Sequence, residues 1–144
     1  MRIFRTLLPA LALLVGAARV EAQSTGYVVV VHQSNPVSSI RRDELSKIFL
    51  KKITVWRTKL PVVAVDQSSE TRIRAQFTRD VHHREVTSVE SYWQQQIFAG
   101  RAVPPQQRPG DAEVMAFIAN NPNAIGYVSA GAQLAPGLKV LSVE

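Results

Sequence analysis

Leu60-Pro61-Val62-Val63-Ala64-Val65-Asp66-Gln67-Ser68-Ser69-Glu70-Thr71-Arg72-Ile73-Arg74-Ala75-Gln76-Phe77-Thr78-Arg79-Asp80-Val81 changes its periodicity halfway along. Residues 60–65 form a continuous apolar run and read as a buried strand. Ile73, Phe77 and Val81 then recur every fourth residue, as one face of a helix does, so a helix is expected over 68–81. The polar knot 66–72 therefore sits where a strand hands over to a helix. Backbone N–H groups at a helix start have no partner inside the helix, and the helix dipole is positive there. Such a turn is a natural place to hold an oxyanion. Glu70 brings a negative charge to the same spot.

Upstream, Gly26-Tyr27-Val28-Val29-Val30-Val31 is a β-branched run whose continuous apolarity suggests a central strand covered on both faces. Asn35-Pro36 ends that segment, because the residue before proline avoids the helical region. Residues 43–50 place Leu45, Ile48 and Phe49 at helical spacing, with acids in the first turn and lysines at the end. Downstream, a helix is expected over 86–99, with Val89, Trp93 and Ile97 inward and Gly100 as its left-handed stop. Residues 101–110 carry Pro104, Pro105 and Pro109 and are expected to be an irregular surface loop. Asp111 is read as the N-cap of a helix bearing Val114, Phe117 and Ile118, which Pro122 closes. Residues 125–128 and 138–141 read as the last two strands. The order implies an α/β fold: a three-layer lobe with helices on both faces of a small mixed sheet. In open sheets of this kind ligands sit beyond the carboxyl ends of the strands. Those ends are residues 32–35, 66–72 and the stretch after Val128, and their convergence on one small polar pocket is expected.

The N-terminal residues are expected to lie outside the fold. A short basic start, Met1-Arg2-Ile3-Phe4-Arg5, precedes an apolar run over 6–15, and Val20-Glu21-Ala22 offers the small residues that a signal peptidase reads. The reading is a signal peptide over 1–22, cleaved after Ala22, followed by one domain over 23–144. The apolar run is shorter than the ~20 residues a membrane span needs. A retained anchor is the weaker alternative, and a periplasmic or secreted location is expected. The chain has no cysteine, which leaves neither a disulfide framework nor a thiolate metal site. Of 144 residues 122 remain after the leader, enough for one core. Without Arg2, Arg5, Arg19 and Glu21, the 17 basic and 11 acidic residues become 14 and 10, a net charge of +4. Arg41, Arg42, Lys47, Lys51, Lys52, Arg57 and Lys59 concentrate that charge in the first third, where an acidic partner or anionic ligand could exploit it. A solvated helix face is the plainer account of most of them, and export argues against nucleic acid as a partner.

Three segments, in order, resemble the phosphate-type periplasmic solute-binding proteins. Leu45-Ser46-Lys47-Ile48-Phe49-Leu50-Lys51-Lys52-Ile53-Thr54-Val55-Trp56 is similar to that family's Ile-Phe-Leu-Gly-Lys-Ile-x-x-Trp stretch. Ser69-Glu70-Thr71-Arg72 stands at its Ser-Gly-Thr-Arg phosphate turn, and Ala124-Ile125-Gly126-Tyr127-Val128 resembles its Ala-Ile-Gly-Tyr-Val strand. The resemblance implies the type 2 periplasmic-binding fold and one lobe of a two-lobed clamp. Such a clamp holds its oxyanion by hydroxyls, backbone N–H groups and an arginine. Two departures stand out: Glu70 replaces a glycine, and the family's early Gly-Ser-Ser-type anion turn is absent.

The expected ligand site is thus Ser68, Ser69, Thr71 and Arg72, with Ser34 and Asn35 opposite. It would take phosphate or a similar small oxyanion without chemistry, and an accessory role in phosphate ABC transport is expected. Capping accounts for the same serines without any ligand, since Ser68 or Ser69 would stabilise the helix start by about 1 kcal/mol. Glu70 would then pair with Arg74 at i,i+4. No cofactor, metal or enzymatic activity is expected. His82-His83 lacks a second histidine at metal-ligand spacing, and His32 has no serine–acid arrangement around it. Tyr127 could face either core or pocket. The alternative function is a periplasmic interaction or accessory module that kept the lobe and lost the ligand, meeting an envelope protein or a second copy of itself.

Overall fold

Successive valines of the first strand feed two different hydrophobic cores. The computed structural model describes residues 26–144, and in it β1 (Tyr27–His32) sends Val29 and Val31 to one face of a sheet and Val30 to the other. This is why the run is apolar without alternation. The expected signal peptide, with its cleavage after Ala22, lies outside the described residues. Among those residues no helix is long and apolar enough to cross a membrane.

Among the described residues six strands form one sheet, in the order β2-β6-β1-β5-β3-β4. They are β1, β2 (Ser39–Ile40), β3 (Val63–Gln67), β4 (Gln106–Arg108), β5 (Ala124–Ser129) and β6 (Leu138–Val143). On one face lie α1 (Arg42–Phe49), α2 (Arg72–Phe77) and a π-helical turn (Thr78–His82) that continues α2. Leu45, Ile48, Phe49, Phe77 and Val81 are buried there against Val29, Val31, Ile125 and Tyr127. On the opposite face α4 (Asp111–Ala119) buries Val114 and Ile118 against Val30, Val65 and Val128. Each fully buried side chain of this size contributes about 1.5–3 kcal/mol. The mixed three-layer arrangement is the expected one. α3 (Val86–Phe98) stands to the side, packing Val89 and Trp93 on Leu50, and Gly100 ends it at φ 64°.

Several boundaries differ from the sequence reading. β3 starts at Val63 rather than Leu60, because Pro61 is drawn into a separate antiparallel bridge with Val55. At its other end β3 keeps Asp66 and Gln67, which the sequence places in the turn. The following helix begins at Arg72, not Ser68, with Thr71 as its N-cap. Residues 101–110 are not wholly irregular: β4 pairs in parallel with β3, Val65 opposite Gln106 and Gln67 opposite Arg108. An edge strand tolerates flanking prolines because one side needs no hydrogen bonds. Gly110 rather than Asp111 caps α4.

The largest correction concerns direction. β1 runs antiparallel to β5, with Tyr27 opposite Ser129 and Val31 opposite Ile125, whereas β3 runs parallel to β5. The carboxyl end of β1 therefore lies beside Ala124 and Val63, where β5 and β3 start. The three strand ends do not converge. Two of them share an edge of the sheet, and residues 32–35 occupy the opposite one.

Candidate functional site

The turn after β3 is built by hydrogen bonds that extend the sheet and then open a helix. Ser68 N–H donates to Arg108 O at 2.9 Å, lengthening the β3–β4 ladder by one rung. Thr71 N–H and its hydroxyl both donate to Ser68 O, at 3.1 Å each. The same hydroxyl accepts from Arg74 N–H at 3.1 Å, which makes Thr71 the cap in place of Ser68 or Ser69. The N–H groups of Arg72 and Ile73, at the first helical positions, have no intrahelical acceptor. Ser68 and Ser69 are half-buried, and among the described residues their hydroxyls take no hydrogen-bond partner; Glu70 and Arg72 are exposed. Ser68, Ser69, Thr71 and Arg72 are thus brought together on one turn.

Ser34 and Asn35 are not part of it. Ser34 Oγ meets His32 Nδ1 at 2.7 Å, and Asn35 Oδ1 accepts from Val37 N–H at 3.0 Å. Both line a small cavity with Trp56, Pro122 and Asn123, at the amino-terminal ends of β3 and β5. The antiparallel course of β1 puts them there.

Beneath the turn lies a polar network that the sequence reading missed. Arg74 does not pair with Glu70. Its Nη1 lies 2.8 Å from Asp66 Oδ2 and also donates to Gln67 O at 2.9 Å, while Nε donates to Thr78 Oγ1 at 3.2 Å. Asp66 Oδ1 accepts from Gln67 N–H at 3.0 Å and from the Tyr127 hydroxyl. Gln67 Nε2 donates to Asp111 Oδ1 at 2.7 Å and to Tyr127 O at 3.1 Å, and Asp111 Oδ1 also accepts from Ser129 N–H at 3.0 Å. One buried set of bonds therefore ties β3, α2, β5 and the start of α4 behind the turn. A charge this deep is tolerated only when every lone pair has a partner. Burial pushes the Asp66 carboxyl above the usual carboxylate range, against the pull of Arg74, the Tyr127 hydroxyl and Gln67 N–H. Burial, and then the Asp66 charge, hold the Tyr127 phenol protonated.

Tyr127 resolves the choice between core and pocket in favour of the core. Its ring stacks on Phe77 at 3.8 Å and 5°, and of its side chain only the hydroxyl reaches the network. Trp56 is likewise an anchor, donating from Nε1 to Asn123 O at 3.0 Å. A cleft of about 230 Å³ opens beside the ion pair, lined by Asp66, Arg74, Glu90, Trp93, Ile97 and Gln107 among others. Among the described residues no group of three His, Asp or Glu side chains is placed to hold a metal.

Sequence could not have announced Arg74 as the partner of Asp66. An arginine three residues past a cap ordinarily points to solvent, and only the folded chain turns this one back onto Asp66 and Gln67 O of β3, beside α3 and β4. The detectable signal was Asp66 itself, an acid at the end of an apolar run.

The fold has solved counterparts. A phosphate transport receptor of the ABC type from Vibrio cholerae superposes with a TM-score of 0.66 at 20% identity, over 82% of this chain and 46% of that one. A protein of Clostridium perfringens assigned as a phosphate ABC transporter substrate-binding protein, with phosphate bound, gives 0.61 at 22%, over 82% and 44%. PstS from Borrelia burgdorferi gives 0.59 at 18%, over 83% and 47%. At such identities the likeness establishes the fold alone, and the chain spans a little under half the length of these proteins. No curated protein sequence matches it. The PBP superfamily domain matches residues 14–142, nearly the whole length, and to that family this chain belongs.

Proposed function

We propose that the chain is a non-enzymatic binding module that captures phosphate or a similar small oxyanion at the 68–72 turn. The observation that carries this reading is the state of the turn. Among the described residues the Ser68 and Ser69 hydroxyls have no hydrogen-bond partner, the Arg72 and Ile73 N–H groups have no intrahelical acceptor, and Arg72 stands exposed beside them. The anion would be held by the helix dipole, these donors and the Arg72 charge, with no bond made or broken. The network of Asp66, Arg74, Gln67 and Tyr127 would fix the turn from behind without touching the ligand. Family membership supports the reading, and so do the phosphate proteins that share the fold. An exported location, with the domain over 23–144 released by cleavage after Ala22, and an accessory role in phosphate ABC transport belong to the same proposal.

Calorimetric titration with phosphate and sulfate tests it. Wild type should release heat with at least one of them, and Glu70→Gly should bind more tightly because a like charge leaves the turn. Absence of heat with both proteins would remove the idea.

One observation favours a second reading, an interaction module without a ligand. The Thr71 hydroxyl is already committed in both directions, donating to Ser68 O and accepting from Arg74 N–H. The helix is capped without an anion, and Glu70 stands exposed on the turn. On this reading the 68–72 edge meets an envelope protein or a second copy of the chain. Light scattering after size exclusion separates a dimer from a monomer.

A further inference from the structure

Two basic segments that lie far apart in sequence face each other across one groove. Arg42, Lys47 and Lys52 come from α1 and the residues just beyond it. His83 and Arg84 come from the end of the π-helical turn. The space between them is about 420 Å³, with Leu50 and Val81 at its base. The groove is separate from the 68–72 turn: it opens at the far end of the α2–π helix, whose 11 residues from Arg72 to His82 span roughly 15 Å.

The positive charge here exceeds what local structure absorbs. Asp43 is the only carboxylate lining the groove, and its oxygens are already occupied by Arg41 at 2.7 Å and Lys47 at 3.3 Å. Among the described residues Arg42, Lys52 and Arg84 enter no salt bridge. The ordinary account of such cations is that they answer the negative ends of helices. Two helix ends do open here, at Leu50 and His83, and each carries about −0.5 charge. Arg42, Lys47, Lys52 and Arg84 against Asp43 give +3. The dipoles, about −1 in all, leave most of that unanswered. His82 also lines the groove and adds no charge to it. Burial first, then Arg74, Arg84 and His83, push its imidazole down to about 4, so it stays neutral and bonds Ser46 at 2.8 Å.

We propose that this groove is a docking site for an acidic, partly apolar peptide segment of a partner protein. The cations are spread along α1, from its first residue to beyond its end, roughly 12 Å or more. A single oxyanion cannot touch both ends. The lining also sets the Ser46 hydroxyl and a narrow apolar floor, Leu50 and Val81 at 6% and 2% exposure, between the cations, which suits carboxylates interspersed with an aliphatic side chain better than a bare phosphate chain. Arg42 is braced by donating to Asp80 O at 3.3 Å, which holds its guanidinium at the rim in advance of binding. The proposal stands apart from the oxyanion reading of the 68–72 turn, and either can fail without the other.

The test is fluorescence anisotropy of a fluorescein-labelled Glu-Glu-Leu-Glu-Glu-Leu-Glu peptide titrated with the protein at low ionic strength. Lys52→Glu with Arg84→Glu should weaken binding about tenfold or more, whereas Lys59→Glu with Arg101→Glu, equal in net charge but outside the groove, should stay within about twofold. Should charge reversal impair folding, Lys52→Gln with Arg84→Gln reports the same loss at intermediate size. No binding by wild type overturns the proposal, as does equal weakening in both charge-reversed proteins. Tripolyphosphate or phosphatidylglycerol vesicles binding more tightly than the peptide, with the same sensitivity to Lys52 and Arg84, would also overturn it and give the groove to another class of ligand.

Discussion

The Arg74 guanidinium and the Asp66 carboxylate meet at 2.8 Å with their side chains only 3% and 8% exposed. Burying two charges gains little net stability, but removing one of them strands the other in a low dielectric. Arg74→Met should therefore cost about 3–5 kcal/mol in urea denaturation. Adding Asp66→Asn should recover part of that loss, because the stranded charge goes with it. A single-variant loss below about 1 kcal/mol would mean that the pair is wet and not buried.

Acid should unfold the protein partly through His82. Its unfolded value is near 6.5 and its folded value about 4, so between them the unfolded chain holds a proton that the folded chain does not. Stability from this group is complete above pH 6.5 and falls as the pH drops toward 4. From pH 7.5 to pH 5 the loss should be about 2 kcal/mol, at 1.36 kcal/mol per pH unit once the histidine of the unfolded chain is charged. In His82→Gln the decline over that window should be markedly shallower. An identical decline in both proteins would assign the acid sensitivity elsewhere.

The layers of the fold were legible because periodicity reports how many faces of an element are covered. The valine run of β1 needed two cores and has them, and the spacing of Leu45, Ile48 and Phe49 named the buried side of α1. Strand direction was not legible. A run of valines reads the same in either orientation, and only pairing with β5 shows that β1 ends away from Ser68. The same symmetry cost the site Ser34 and Asn35. Caps were half legible: a polar cluster marked the helix start, but three hydroxyls in four residues left the choice of Thr71 to geometry. β4 escaped because its residues, Gln106, Gln107 and Arg108, carry no apolar pattern, and an edge strand needs none.

Gly126 should tolerate no side chain. A Cβ there would lie 2.8 Å from Val65 Cγ1 and 2.9 Å from Val114 Cγ1, where β3 and α4 close on β5 from two layers. β-branched neighbours are stiff at χ1 and yield little. Gly126→Ala should lose about 1–3 kcal/mol by overpacking. Gly131→Ala is the internal control, since nothing lies within 4 Å of its added methyl group. Equal stabilities for the two variants would show that the layers slide apart easily.

If an oxyanion binds, its dependence on two serines should differ sharply. Ser69 lies on the turn at the carboxyl end of β3, with a hydroxyl that no protein group engages among the described residues. Ser34 lies at the other end of the sheet, bonded to His32 at 2.7 Å. Ser69→Ala should weaken phosphate binding about tenfold, the effect of roughly one hydrogen bond to a charged group. Ser34→Ala should leave it unchanged, because the antiparallel course of β1 separates the two serines. Thr71→Val adds a further distinction, because it removes both the cap, worth about 1 kcal/mol, and a neighbouring hydroxyl. Calorimetry on the three variants, beside their denaturation curves, separates lost binding from lost helix. A loss of affinity in Ser34→Ala equal to that in Ser69→Ala would place the ligand at the opposite edge of the sheet and leave the 68–72 turn as a helix cap alone.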